Sequence, residues 1–327
     1  MAFERGDEMN IITERILKVL SLKGLVSSSA RIFRLNNQGL SGEVYCVESE
    51  AGDYILKFYR AGDSSKAVKE MRIYQYLSSL GVPVPKVYFA DTNGEITRKP
   101  FLLVQKLNGE SFSSLIKKGK GRIFVESLAK SLHKLHSIQV SDLNITLDRR
   151  PLEKEIEEIK VIAAFFLSFS MNLLSFRRVY KALSKISRIP AKKSTLALLH
   201  GDCGPDNTIY CNGTVYLIDL ESAYLGDPAF DVGYAYHCIK LSASNRPELA
   251  DHFIRTYESL HGKITNLEIY IRLAALKLAV FLKFLGNINL LSILLLGLRR
   301  AMNISTFRKQ LNKFADYCIE YAEKNDC

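Results

Sequence analysis

His200-Gly201-Asp202-Cys203-Gly204-Pro205-Asp206-Asn207, followed by Ile218-Asp219-Leu220-Glu221, sets an acid and an amide five residues apart and brings a second acid in soon after. Each acid follows an apolar run, Leu196–Leu199 for the first and Thr214–Ile218 for the second. Phosphoryl transfer needs this constellation. One carboxylate accepts the proton of an attacking hydroxyl, while an amide oxygen and a second carboxylate hold the magnesium that bridges nucleotide phosphates. Asp202 is therefore the candidate base, and Asn207 and Asp219 are the candidate metal ligands. Their hard oxygens suit Mg2+, which takes few protein ligands and completes its shell with phosphate and water.

The context around the motif supports it. Ile209-Tyr210, a turn at Asn212-Gly213 and Val215-Tyr216-Leu217-Ile218 read as strand, turn and strand, which delivers Asp219 at the end of a hairpin. Glu221 follows two residues later, either reaching the metal or supporting its ligands from behind. His200 reads as a residue that orients the loop.

Earlier in the chain, residues 11–22 carry a helical apolar face. Strands are expected over 31–35, 43–49, 53–59 and 101–107. Ser64 or Ser65 caps a helix over 66–80, which stops at Gly81 before Pro83 and Pro85. In the strand Tyr54-Ile55-Leu56-Lys57-Phe58-Tyr59, the side chains of Ile55, Lys57 and Tyr59 share one face and Leu56 and Phe58 the other. Glu70 lies thirteen residues beyond Lys57, on the expected helix, where the two can pair. Such a pair holds a lysine against nucleotide phosphates. Gly39-Leu40-Ser41-Gly42 lies between the first two strands, where glycines let backbone N–H groups approach phosphate. Gly39, Ser41 and Gly42 are the candidates there, although any hairpin uses glycine.

These residues resemble the aminoglycoside phosphotransferase and choline kinase-like family, which has the protein-kinase fold. The resemblance extends to Gly226-Asp227-Pro228-Ala229-Phe230-Asp231. His-Gly-Asp stands where protein kinases have His-Arg-Asp, and Asp-Leu-Glu where they have Asp-Phe-Gly. The resemblance implies that Lys57 is the phosphate lysine and Glu70 its helix partner. It also implies that backbone near Gln105 and Leu107 meets the adenine edge, and that Asp231 ties down the catalytic loop. The implied fold is α+β and two-lobed, with a small antiparallel-sheet N-lobe over 1–108 that binds nucleotide. A mostly helical C-lobe over 109–327 carries the catalytic loop and acceptor site. ATP and Mg2+ are the implied cofactors. The acceptor is a hydroxyl of a small molecule such as a sugar or amino alcohol. Its identity does not carry over, because 142–198 and the C-terminal helices match least.

Composition fits this reading. The chain has 327 residues, 47% of them hydrophobic and 24% charged, which suits two lobes with a large core. Met1–Asn10 carries charges of both signs and no apolar run, so no secretory signal is expected there. The apolar stretches 161–176 and 284–298 are interrupted by polar residues and fall short of a spanning helix; they read as buried or interfacial. Six cysteines without C-x-x-C spacing read as free thiols in a reducing cytoplasm, with Cys203 a packed loop residue. His133 and His136 are three apart, lack a third ligand nearby and read as structural.

The net charge is +11, and its excess is concentrated in 109–198. Arg177, Arg178, Lys181, Lys185, Arg188, Lys192 and Lys193 fall within 176–193 without one acid. Such a segment is either a solvated face or attracts an anionic acceptor or an anionic membrane surface. It speaks against a polycationic acceptor. No nucleic-acid module or interleaved aromatic platform accompanies it. Two rivals remain in view. A protein kinase would need a longer segment and a peptide-docking motif between Glu221 and Ala229, where only seven residues lie. A non-catalytic nucleotide-binding protein would lack some of Asp202, Asn207, Asp219 and Lys57, and all are present.

Overall fold

The computed structural model describes residues 2–35, 43–139, 145–169, 173–287 and 305–324. The chain divides into two compact units. The first comprises 1–109, 141–145 and 216–221, and the second 110–140, 146–215 and 222–327. Asp219 and Glu221 therefore belong with the N-terminal unit, while Asp202 and Asn207 belong with the other.

The first unit is built on an antiparallel sheet of five strands. These are β1 (Arg31–Arg34), β2 (Glu43–Glu48), β3 (Tyr54–Phe58), β4 (Val87–Asp91) and β5 (Phe101–Gln105), in the order β1-β2-β3-β5-β4. Alternation along β3 sorts its side chains as the period of two requires. Leu56 and Phe58 join Tyr45, Val47, Phe101 and Leu103 in a core closed by Ile16 and Leu20 of α1 (Ala2–Leu22). On the opposite face Tyr59, Leu102 and Val104 pack against Ala67 of α2 (Ser64–Ser79), with Ile55 and Met71 alongside. Lys57 shares that second face, so it meets α2.

Helix α2 starts at Ser64, two residues before the expected start. It closes where Val82 N–H reaches back to Leu77 O (2.9 Å) and Gly81 takes a positive φ of 68°. Strand β4 was not legible in the sequence. It is a short edge strand after two prolines, and its register with β5 shifts between Val87 and Phe89, which blurs the alternation.

The second unit is mostly helical: α3 (Phe112–Lys117), α4 (Gly121–His136), α5 (Leu152–Phe169), α6 (Leu173–Ile186), α7 (Pro228–Ser242), α8 (Glu248–His261), α9 (Leu267–Asn287) and α10 (Ser305–Glu323). Phe124, Leu128, Leu132 and Leu135 recur at helical spacing along one face of α4 and are fully buried, and α4 packs on α8. Helix α9 packs on α7, α10 and α5. A small sheet, β6 (Arg149–Arg150), β10 (Tyr224–Gly226) and β7 (Ala197–Leu199), leads into the His200–Asn207 loop. A hairpin of β8 (Thr208–Cys211) and β9 (Thr214–Leu217) follows. Asn212 (φ 50°) and Gly213 (φ 82°) both take the left-handed conformation that a two-residue hairpin turn requires. Among the described residues no helix is long and apolar enough to cross a membrane.

Leu56 is wholly enclosed between sheet and α1. Leu56→Ala is expected to cost about 2–5 kcal/mol of stability in urea unfolding. A loss below about 1 kcal/mol would contradict this packing, since even a buried Ile→Val change costs about that much.

Candidate active site

In the first unit, Lys57 Nζ lies 2.7 Å from Glu70 Oε2, 2.7 Å from Asp219 Oδ1 and 3.9 Å from Glu221 Oε2. Glu70 is fully buried. Its carboxylate also accepts the Tyr59 hydroxyl and the Leu220 N–H (3.0 Å). Tyr74, one helical turn beyond Glu70, accepts the Asp219 N–H (2.8 Å) and faces Glu70 with its hydroxyl. Helix α2 thus grips both the lysine and the turn that follows β9. Asp219 sits in that turn at φ 63°, a conformation that costs a non-glycine residue of order 1–3 kcal/mol and recurs at functional sites.

Electrostatics follow from the crowding. Burial opposes the charge on Lys57, but Glu70, Asp219 and Glu221 outweigh it and hold its pKa above the ordinary value. Burial raises the Glu221 carboxyl; Lys57 pulls it down, while Asp219 and Glu70 push it further up. The carboxylates of Glu70, Asp219 and Glu221 approach within 4.8 Å of one another. Three hard-oxygen acids gather around the Lys57 ammonium, while Lys66 also acts on Glu221 and Lys69 donates to its carbonyl (2.9 Å). Asp219 and Glu221 keep 24% and 22% of their side-chain surface exposed, so they are reachable. That donor set fits magnesium.

In the second unit the loop hangs on Asp231, at the start of α7. Its buried carboxylate accepts the N–H of His200 (2.7 Å) and of Gly201 (3.0 Å), and it meets His136 Nε2 (3.2 Å). Burial works against this charge, yet the His136 contact and those N–H groups hold the carboxyl below its usual range. His136 is fixed in turn by Tyr257 through Nδ1 (2.7 Å), so it serves the fold. His200 is buried and accepts the Asp202 N–H on Nδ1 (3.3 Å). Gly201 has φ 78°, and a Cβ there would stand 2.6 Å from the Ser222 carbonyl oxygen and 3.0 Å from the Tyr224 ring. Only glycine fits.

Asn207 closes a 3-10 turn (Pro205–Asn207), and its Nδ2 donates to the Asp202 carbonyl (2.9 Å) and to Asp202 Oδ2 (2.8 Å). That leaves the amide oxygen as the group Asn207 offers to a ligand. The Tyr234 hydroxyl also meets the Asp202 carboxylate. Cys203 is buried, its thiol donating to the Asp231 carbonyl (3.1 Å), and burial raises its pKa. It is a packed thiol, not a nucleophile.

The remaining sequence candidates fall differently. Gly39, Ser41 and Gly42 lie outside the described residues. The Gln105 N–H is engaged by the Lys86 carbonyl (2.8 Å), and the Leu107 carbonyl accepts Gly109 N–H (3.0 Å), so those two groups serve the chain itself. Tyr59, Tyr74, Tyr234 and Lys277 escaped the sequence reading. Tyr59 and Tyr74 had a signal, since each lies one strand or helix repeat from a chosen residue. Lys277 had none. It comes from α9 to donate to the Gly201 carbonyl (2.9 Å), and it sits 5.0 Å and 5.5 Å from the ring centres of Phe230 and Tyr234.

The expected effect of Gly201→Ala is a stability loss of about 2 kcal/mol or more in urea unfolding, since left-handed strain alone costs of order 1–2 kcal/mol before the clash is relieved. Unchanged stability would mean that the loop tolerates a Cβ there.

Comparison with known proteins agrees with this geometry. No curated protein sequence matches the chain. Among solved structures, a candidate aminoglycoside phosphotransferase from Ralstonia eutropha superimposes with a TM-score of 0.72 at 15% identity, covering 96% of this chain and 99% of that one. A choline kinase from Cryptosporidium parvum gives 0.66 at 14%, covering 94% and 95%. A thermostable mutant of the aminoglycoside phosphotransferase APH(4)-Ia, solved in ternary complex with ADP and hygromycin B, gives 0.63 at 15%, covering 94% and 98%. These likenesses establish a kinase-like fold. The family model described as the phosphotransferase enzyme family matches residues 32–266, well over half of the sequence, and the chain belongs to that family.

Proposed function

We propose that the protein transfers the γ-phosphoryl group of ATP, in the presence of magnesium, to a hydroxyl of a small molecule. The observation that carries the reading is Lys57 held between Glu70 and Asp219 at 2.7 Å each. A lysine locked this way is a fixed positive charge for nucleotide phosphates. Structural relatives that bind ADP with hygromycin B, or are named choline kinases, support a nucleotide donor and a small hydroxylic acceptor.

The roles divide between the units. Residues 1–108 bind the nucleotide, and 109–327 supply the catalytic loop and the acceptor site, except that Asp219 and Glu221, within 216–221, fall in the first compact unit. Lys57 neutralises the phosphates, set by Glu70. Asp219 and the amide oxygen of Asn207 hold the metal, with Glu221 beside Asp219. Magnesium, when bound, screens the charge that develops on the transferring group. Asp202 orients the acceptor hydroxyl and takes its proton. Asn207 and Tyr234 hold the Asp202 carboxylate in one orientation, and Asp231 fixes the backbone on which it rides. Catalysis here is positioning and charge stabilisation.

Asp202→Asn should retain nucleotide binding and lose turnover by about 10²- to 10⁴-fold, the usual contribution of a positioned base. Near-normal steady-state rates would remove Asp202 from that role. Asp219→Ala should abolish the magnesium dependence of ATP affinity in calorimetric titration, while Lys57→Ala weakens ATP binding with or without metal. Unchanged Mg-ATP affinity in Asp219→Ala would count against the metal assignment. Incubating the protein with ATP, magnesium and a panel of sugars, amino alcohols and nucleosides tests the reaction class directly.

A further inference from the structure

The basic segment finds part of its compensation inside the protein. Arg178 makes a two-pronged pair with Glu323 of α10 (3.1 and 2.6 Å), with Asp316 3.9 Å away. The Arg178 contact leads the causes that lower the Glu323 carboxyl, and the charges of Lys185 and Lys181 add to it. Arg178 therefore faces inward, toward the acids of α10.

The opposite face of α6 is different. Val179, Ala182, Leu183 and Ile186 are buried, whereas Leu174, Arg177, Lys181 and Ser184 recur at helical spacing along the solvent side, and Arg188 follows just beyond the helix end. Helix α6 itself carries no acid, although the Lys181 charge is felt at Glu323. At its N-terminal end the side chains are large and apolar: Leu173 and Leu174 are 67% and 73% exposed. On α5, Val161 and Phe165 are 64% and 63% exposed. Only three residues separate α5 from α6, and Tyr180 Oη donates to the Lys160 carbonyl (3.0 Å). With Tyr180 level with Lys160, Phe165 comes level with the first turn of α6. Phe165, Leu173 and Leu174 thus gather toward one end of the helix pair, with Val161 one turn back along α5 and Arg177 and Lys181 following along α6. The acids of α5 that reach solvent, Glu153, Glu157 and Glu158, lie toward the other end; Glu157 is paired with Lys160 (2.5 Å) and Glu158 lies 3.8 Å from Arg150.

We propose that this α5–α6 face docks the protein on an anionic lipid surface. Large apolar side chains enter the acyl–headgroup boundary, and Arg177, Lys181 and Arg188 meet lipid phosphates, the arrangement of an interfacial amphipathic helix. A soluble polyanion would use the charges but leave Val161, Phe165, Leu173 and Leu174 in water. The inference does not depend on the phosphoryl-transfer reading.

The test is cosedimentation of the full-length protein with vesicles of equal parts phosphatidylcholine and phosphatidylglycerol, against phosphatidylcholine alone. The protein should partition onto the anionic vesicles, not onto neutral ones, and should be released near 1 M salt, where screening acts within about 3 Å. Arg177→Gln/Lys181→Gln/Arg188→Gln should weaken partitioning by about fivefold per charge. Phe165→Gln/Leu174→Gln should weaken it at least fivefold, with an unchanged thermal midpoint. Absence of binding to anionic vesicles, equal binding to neutral ones, or wild-type partitioning by both variants would overturn the proposal. Binding to heparin without vesicle binding would assign the basic face to a soluble polyanion and equally overturn it.

Discussion

Glu70 has no exposed surface, and a buried carboxylate survives only where its charge is matched and its lone pairs are filled. Here Lys57 supplies the charge, while Tyr59 and the Leu220 N–H fill the remaining acceptor positions. This one interaction joins a central strand, the only helix on that face of the sheet among the described residues, and a turn 150 residues further along the chain. Remove the carboxylate and a half-buried ammonium loses one of its two close partners. The usual cost of breaking such a pair, about 3–5 kcal/mol, shows why the arrangement constrains its neighbours so tightly.

The strained turn at Asp219 follows from the same grip. A left-handed aspartate persists only where its surroundings over-determine it. Tyr74 holds its N–H and Glu70 holds the next one, so the side chain is turned toward Lys57. The second unit repeats the device with Asp231. Two consecutive backbone N–H groups end on its carboxylate, and His136 completes the set. Each unit therefore uses one buried acid to fix a short loop bearing a half-buried acid. Rigid support of this kind lets charge stabilisation operate without reorganising the loop.

Charge within 176–193 illustrates how a one-dimensional count misleads. Seven basic residues without an acid suggest mutual repulsion, but Asp316 and Glu323 arrive from 138 and 145 residues away to meet Arg178. The segment is consequently divided: Arg178 is neutralised by α10, while Arg177 and Lys181 extend outward near exposed apolar residues.

The sequence by itself determined the phosphotransferase family and much of the local structure. The spacing of Asp202, Asn207 and Asp219, the Asn212-Gly213 turn, the burial of α4 and the facing of Lys57 all rest on short-range periodicity and turn stereochemistry, which are local properties. It did not reveal β4, whose bulged register blurs the alternation, nor Lys277, which reaches the Gly201 carbonyl from 76 residues away. Tyr59 and Tyr74 look like ordinary core aromatics until Glu70 is placed between them. Tertiary structure alone decided which buried groups satisfy one another, because a buried polar atom takes whichever partner the packing brings, at any distance along the chain.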